Sequence, residues 1–152
     1  MKKLSANIED YLVTIRDLVD ERQSARVSDI ADRMSVSRPS VTQVVTRLTR
    51  FGLVNHEHYG DVFITDTGRE IADSVSYRRD LFKQFLVDIL RAPEKAAEKD
   101  ACKLGHSIGE DCTANLANFV RFVDAKKNPP IWLKLFHNYL EKVTKEKQDK
   151  QK

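Results

Sequence analysis

The chain has 152 residues, a formal net charge of +3, 41% hydrophobic and 32% charged residues. That balance suits one soluble globular domain, or two small ones sharing a core, and excludes a disordered chain. No apolar run approaches the roughly 20 residues of a bilayer span, and Met1-Lys2-Lys3 leads into no signal-peptide core, so a cytoplasmic location is expected. The net charge is too small to argue for nucleic acid, which must be argued from local charge.

In chain order, Ile8, Tyr11, Leu12, Ile15, Leu18 and Val19 follow a helical period, which predicts a first helix with one buried face. Ser28 is a plausible N-cap for a second helix whose apolar side is Ile30, Ala31 and Met34. Ser35-Val36-Ser37 interrupts the pattern, and Pro39 suits the first turn of a third helix, where its missing N–H costs nothing. Val41, Val44, Val45 and Leu48 recur at i, i+3, i+4 and i+7 and must face a core. The opposite face presents Pro39, Ser40, Gln43, Thr46, Arg47 and Arg50. Between Arg33 and His56 there are four arginines and no acidic residue. Short polar groups near the helix start can reach base edges in a major groove, and guanidinium groups further along can clamp phosphates. The plain alternative is an ordinary amphipathic helix with a basic outer side.

The residues beyond Arg50 favour the DNA-reading helix. Phe51-Gly52 ends the helix in a C-cap pattern. Leu53 to Glu57 and Asp61 to Thr65 are short β-rich runs around Tyr59-Gly60, a hairpin signal. A helix-turn-helix running directly into a hairpin predicts a winged helix. Thr67-Gly68-Arg69-Glu70 then has the form of a capping box. It opens a helical stretch with Ile71, Ala72 and Val75, and then Leu81, Phe82, Phe85, Leu86 and Ile89. Pro93 restarts the chain before Ala96, Ala97, Ala101, Leu104 and Ile108, and Gly109 breaks it before Leu116, Phe119 and Val120. A helical layer this apolar predicts self-association, and twofold dimers match palindromic operators. Asn128-Pro129-Pro130 marks a boundary, beyond which Ile131, Leu133, Leu135, Phe136, Tyr139 and Leu140 suit one more helix with Trp132 as an anchor. Glu141 to Lys152 is lysine-rich and reads as a frayed end. Cys102 and Cys112 are ten residues apart. On one continuous helix, rising about 1.5 Å per residue, they are too distant for a disulfide, so free thiols in a reducing compartment are expected.

The fold class expected is therefore mainly α: an N-terminal winged helix-turn-helix with a small β-hairpin wing, then an all-helical dimerisation domain. The divisions expected are 1–74, 75–127, and 128–152 as a C-terminal helix and basic tail.

Over about Asn7 to Val123 the sequence resembles the diphtheria toxin repressor and manganese transport regulator family. The residues that carry the resemblance include Glu9-Asp10-Tyr11-Leu12, Val27-Ser28-Asp29-Ile30-Ala31, Ser37-x-Pro39-Ser40-Val41-Thr42-Gln43, Gly52-Leu53-Val54, Leu81 to Leu86, and Asp100-Ala101-Cys102-x-Leu104-x-His106. Without an SH3-like third domain, it looks like the short manganese branch. The resemblance implies a metal-responsive transcriptional repressor that binds double-stranded DNA as a homodimer. By residue match, Ser37, Pro39 and Gln43 touch bases, while Thr42, Arg47 and Arg50 touch phosphates. Thr42 lies beside rather than on the groove face of the helical wheel.

The implied metal site is altered. Asp10 matches a ligand of the manganese branch, Cys102 one of the iron branch, and His106 a ligand of both. Gly105 stands where both branches carry Glu, and Val13 replaces a Glu of the manganese branch. Arg79 replaces a ligating His, while Lys83 and Glu98 replace the Glu and His of the iron branch's ancillary site. Arginine keeps its proton near neutral pH, so it cannot ligate and it repels a cation.

Two readings remain open. Asp10, Cys102 and His106 hold one ion, completed by water or Glu9, with Zn²⁺ or Fe²⁺ favoured over Mn²⁺ by a thiolate. Alternatively, the guanidinium of Arg79 takes the ion's place and pairs with Asp10. The second accounts for Arg79, Gly105 and Val13 together, and makes the protein metal-independent or responsive to another signal. Cys112 reads as packing, and His56, His58 and His137 as surface or wing residues without ligand spacing. Cys102 as a redox-sensing thiol is a minor alternative. A winged helix can also serve as a protein-interaction module. No catalytic set or cofactor fingerprint is present, so no enzyme is expected.

Overall fold

The computed structural model describes residues 4–56, 60–125 and 129–149. It contains seven α-helices and a two-stranded sheet among the described residues. They fall into two compact units, residues 1–77 and 78–152.

In the first unit, helix α1 spans Ala6–Arg22 and buries Ile8, Tyr11, Leu12, Ile15 and Leu18, the face its periodicity predicted. It stops where Gln23 takes a left-handed φ of 69° and donates its N–H to the Val19 carbonyl. Ala25 then pairs with Val62, its N–H donating at 3.0 Å and its carbonyl accepting at 2.6 Å. That rung holds Arg26 extended, so helix α2 begins at once and spans Val27–Met34. Ser28 is consequently inside the helix rather than its N-cap: the cap position is Arg26, and no side chain bonds there.

Helix α3 spans Arg38–Arg50. Ser37 caps it, its Oγ accepting from the Ser40 N–H at 3.4 Å, and Pro39 occupies the first turn as expected. Val41, Val45 and Leu48 are fully buried, with Val44 partly buried against the same core. The helix ends at Phe51, and Gly52 at φ 69° reverses the chain so that Leu53 N–H reaches the Leu48 carbonyl.

Strands β1 (Val54–His56) and β2 (Val62–Ile64) pair antiparallel, with Val54 opposite Ile64 and His56 opposite Val62. Each is shorter than its β-rich run. Glu57, His58 and Tyr59 lie outside the described residues.

Helix α4 spans Asp66–Gln84. Its cap is Thr65, not Thr67: the Thr65 hydroxyl accepts from Gly68 N–H at 3.1 Å and donates to the Gly52 carbonyl at 2.9 Å. The expected capping box is therefore not used. Gly68 has a different reason to be glycine, since a Cβ there would sit 2.1 Å from the Leu53 carbonyl oxygen. Arg16 joins α1 to α4 by bonds to Asp73 at 2.6 Å and Ser76 at 3.0 Å.

In the second unit, α4 runs into a π-helical turn over Phe85–Ile89, after which Arg91 takes a left-handed φ of 57°. Pro93 caps helix α5, Glu94–Ser107, whose inward positions are Ala97, Ala101 and Gly105; Ala96 is exposed, although it fits the apolar pattern. Gly109 caps helix α6, Glu110–Asp124. Cys102 and Cys112 thus lie on separate helices, contrary to the continuous reading, and both are free thiols. Cys112 is exposed in the first turn of α6 rather than packed.

Helix α7 spans Ile131–Asp149. The lysine-rich end is helical rather than frayed as far as Asp149, as suits good helix formers with Glu141 and Lys145 at i, i+4, and residues 150–152 lie outside the described ones. Leu133 and Phe136 pack inward with Leu81, Ile89, Ala117 and Val120. Ile131, Leu135 and Tyr139 point outward at 77%, 63% and 62% exposure, alongside Phe122 of α6 at 54%. Trp132 tilts against Phe119, ring centroids 6.1 Å apart.

Candidate DNA interface and metal-ligand cluster

The outward side of α3 is the larger candidate site. Pro39, Ser40, Thr42, Gln43, Thr46, Arg47 and Arg50 are all exposed, because the buried Val41, Val45 and Leu48 fix the helix's rotation. Ser37 and Ser40 are tied together, their hydroxyls 2.8 Å apart, which holds both at the helix's leading end. Thr42 and Thr46 donate to the carbonyls of Arg38 and Thr42, leaving their oxygens able to accept only. The Arg47 guanidinium carbon rests 5.6 Å from the Phe51 ring centroid, a cation–π contact made by an exposed side chain. Arg33 belongs elsewhere: it makes a fork to Glu21 at 2.8 and 2.7 Å, which holds the Glu21 carboxyl below its ordinary range.

One residue escaped the sequence reading. Arg38 is exposed at the first position of α3 and lines a cleft with Arg26, Thr42 and His56. The signal was available in the arginine cluster, but Arg38 precedes the Pro39 that anchored the helical wheel. Thr42, which the wheel left beside the groove face, borders this same cleft, where Asp61 pairs with Arg26 at 3.3 Å.

The metal-ligand candidates are divided between units. Asp10 is partly buried on α1 of the first unit; Val13 is buried on the same helix, and Glu9 is buried too. Cys102 and His106 stand one turn apart on α5 of the second unit, with Sγ 3.9 Å from Nε2. Both are partly buried. That separation suits two ligands of one small ion.

Arg79 works against it. Its Nη2 lies 3.3 Å from the same His106 Nε2, within reach of the lone pair an ion needs. Gly105 packs against the same stretch of α4: a Cβ built there would meet Arg79 Cγ at 3.4 Å and Arg78 Cβ at 3.7 Å, ordinary van der Waals contact. Arg78 in turn donates from Nε to the Gly105 carbonyl at 2.8 Å. The donor pair fits a divalent ion only with the guanidinium moved aside. Of the ancillary positions, Lys83 faces Glu94 at 3.5 Å and Glu98 is exposed, an ion pair in place of a ligand set.

Residues 3–62 match the family model described as the iron dependent repressor N-terminal DNA binding domain, and residues 65–132 match its metal binding and dimerisation domain. The chain belongs to the iron dependent repressor family. An uncharacterized helix-turn-helix-type transcriptional regulator of Methanocaldococcus jannaschii is 31% identical over 118 residues, covering 77% of this chain and 94% of that protein. The helix-turn-helix-type transcriptional regulator MntR of Bacillus pumilus is 29% identical over 140 residues, covering 92% of this chain and 96% of MntR. A manganese-dependent transcriptional repressor solved in complex with manganese superposes with a TM-score of 0.68 at 27% identity over 76% of this chain. This chain spans only 53% of that structure's length.

The chain is accordingly a DNA-binding transcriptional regulator in a family of metal-dependent repressors, with duplex DNA and a second copy as the partners its two matched modules imply. Among the described residues no helix is long and apolar enough to cross a membrane.

Proposed function

We propose that this regulator represses transcription by binding a palindromic operator as a homodimer, each copy laying α3 in the major groove. The observation that carries this reading is the outward face of α3, where Gln43, Arg47 and Arg50 are exposed together without an acidic neighbour on the helix. Ser37, Pro39 and Gln43 take the base edges, and Ser40 sits between them at the helix's leading end. Thr42, Arg47 and Arg50 take phosphates, joined by Arg38. The outward apolar side chains Phe122, Ile131, Leu135 and Tyr139 supply surface for the second copy. Duplex affinity measured against salt tests the proposal: it should fall steeply as several phosphate contacts are screened. A protein that ignores duplex DNA at low salt would instead be an interaction module built on the same fold.

The switch is proposed to differ from that of a metal-activated repressor. The guanidinium of Arg79 stands where the resemblance expects the ion, held beside His106, with Asp10 of α1 as its expected anionic partner. Operator binding then needs no metal. A second reading has its own support in the Cys102–His106 separation of 3.9 Å. There Asp10, Cys102 and His106 hold one transition ion of the Fe, Mn or Zn class after Arg79 swings away, and the bound ion supplies a fixed link between helices.

A further inference from the structure

The second unit contains a cleft of about 560 Å³ that the DNA-binding reading does not use. One wall is a single face of α7, with Lys134, His137, Asn138 and Glu141 at i, i+3, i+4 and i+7. The other wall is the π-helical turn and its exit, which contribute Asp88, Ile89 and Arg91. Ile89, Val120, Val123 and Leu133 give it an aliphatic floor, each less than a tenth exposed. A cleft of this size, with an aliphatic floor under a polar and charged rim, can enclose a small ligand that carries both kinds of group.

Two backbone departures meet here. The π-helical turn closes with Leu90 N–H on the Phe85 carbonyl at 3.1 Å, and Arg91 is left-handed without being glycine or asparagine. Departures of this kind gather at functional sites, because elsewhere an ordinary helix costs less. They are fastened to α7 through His137. Its Nδ1 accepts from Arg91 Nε at 3.3 Å, and its Nε2 donates to the Ile89 carbonyl at 3.0 Å. These bonds fix the orientation of the ring and leave the terminal nitrogens of Arg91 to other acceptors.

The rim carries both signs of charge. Asp88, Glu141 and Lys134 make no ion pair among the described residues, while Asp124 accepts from Gln84 Nε2 at 2.7 Å. A purely cationic ligand would face Lys134 and Arg91; a purely anionic one would face the carboxylates. A zwitterion meets both, and an aliphatic body covers the floor. We infer that this cleft binds a free α-amino acid with a branched aliphatic side chain. Lys134 and Arg91 receive its carboxylate, Asp88 and Glu141 its ammonium group, and Ile89, Val120 and Leu133 its side chain.

Calorimetric titration of the full chain with leucine tests this, against isocaproate, which lacks the ammonium, and isoamylamine, which lacks the carboxylate. Leucine should saturate the protein, and both analogues should bind at least about tenfold more weakly. Lys134→Met and Asp88→Asn, both exposed positions, should each weaken leucine by a similar factor with helix content unchanged in far-UV circular dichroism. Absence of saturation at about 1 mM leucine overturns the inference. So does an analogue that binds as tightly as leucine, or variants that leave its affinity intact. The titration contains no DNA, so its failure is separate from any failure of operator binding.

Discussion

The Nη2 atom of Arg79 lies 3.3 Å from Nε2 of His106, the ring nitrogen that stands 3.9 Å from Cys102 Sγ. A donor pair spaced for an ion thus has a permanent cation beside it. The resemblance to the metal-dependent repressors implies a ligating His at the place of Arg79. Arg79→His should therefore make operator affinity rise with added Mn²⁺ or Fe²⁺, by at least about tenfold. An affinity that stays flat across metal titration in the variant counts against the built-in cation.

The two kinds of residue on α3 should fail differently. Arg47→Ala should weaken binding to every duplex and reduce the salt slope by about one phosphate contact. Gln43→Ala should relax discrimination at one or two base pairs by about 1–3 kcal/mol. Competition binding over a randomised duplex pool distinguishes these; uniform loss on all sequences for Gln43→Ala removes its base-reading role.

Gly68 is fixed by packing. A methyl group there meets the Leu53 carbonyl oxygen at 2.1 Å, a contact with backbone that no side-chain rotation relieves. Gly68→Ala should destabilise the first unit by about 1–3 kcal/mol, read from denaturant midpoints. Gly109→Ala meets no such clash, with nothing within 4 Å of its added Cβ, so any loss there reflects only its place as the N-cap of α6.

Asp61 couples the start of β2 to the segment before α2, accepting from Ser24 at 2.7 Å and Arg26 at 3.3 Å. The Ser24 bond and then the charge of Arg26 hold its carboxyl below the ordinary aspartate range, against some desolvation. Because the folded pKa is the lower one, its contribution is complete above the unfolded value of about 3.9 and is lost as pH falls through the folded value. Thermal melts should show Asp61→Asn less stable than the parent near neutrality, with the two converging in acid. A constant gap across that range removes the linkage.

Much of this was legible in the sequence because burial enforces period. The face of α1 and the inward valines of α3 follow from spacing alone, and Pro39 and Gly52 mark ends by backbone chemistry. The errors came where tertiary contacts chose among local options. Ser28 is a good cap by type, but the Ala25–Val62 rung starts α2 earlier. Thr67 and Glu70 spell a capping box, but Thr65 already spans Gly52 and Gly68. In the site, Arg79 and Gly105 were readable as separate departures; that Gly105 packs against Arg78 and Arg79 emerges only in the folded chain, since no helical spacing links α4 to α5. The π-helical turn and the left-handed Arg91 left no mark in the sequence, having neither glycine nor proline at the bend.

Operator affinity of the purified protein, measured with its metal content assayed and again after strong chelation, tests the central claim most directly. With the guanidinium of Arg79 in the ion's place, the dissociation constant should be the same before and after chelation. A large loss of affinity on chelation, restored by Fe²⁺, Mn²⁺ or Zn²⁺, would contradict it.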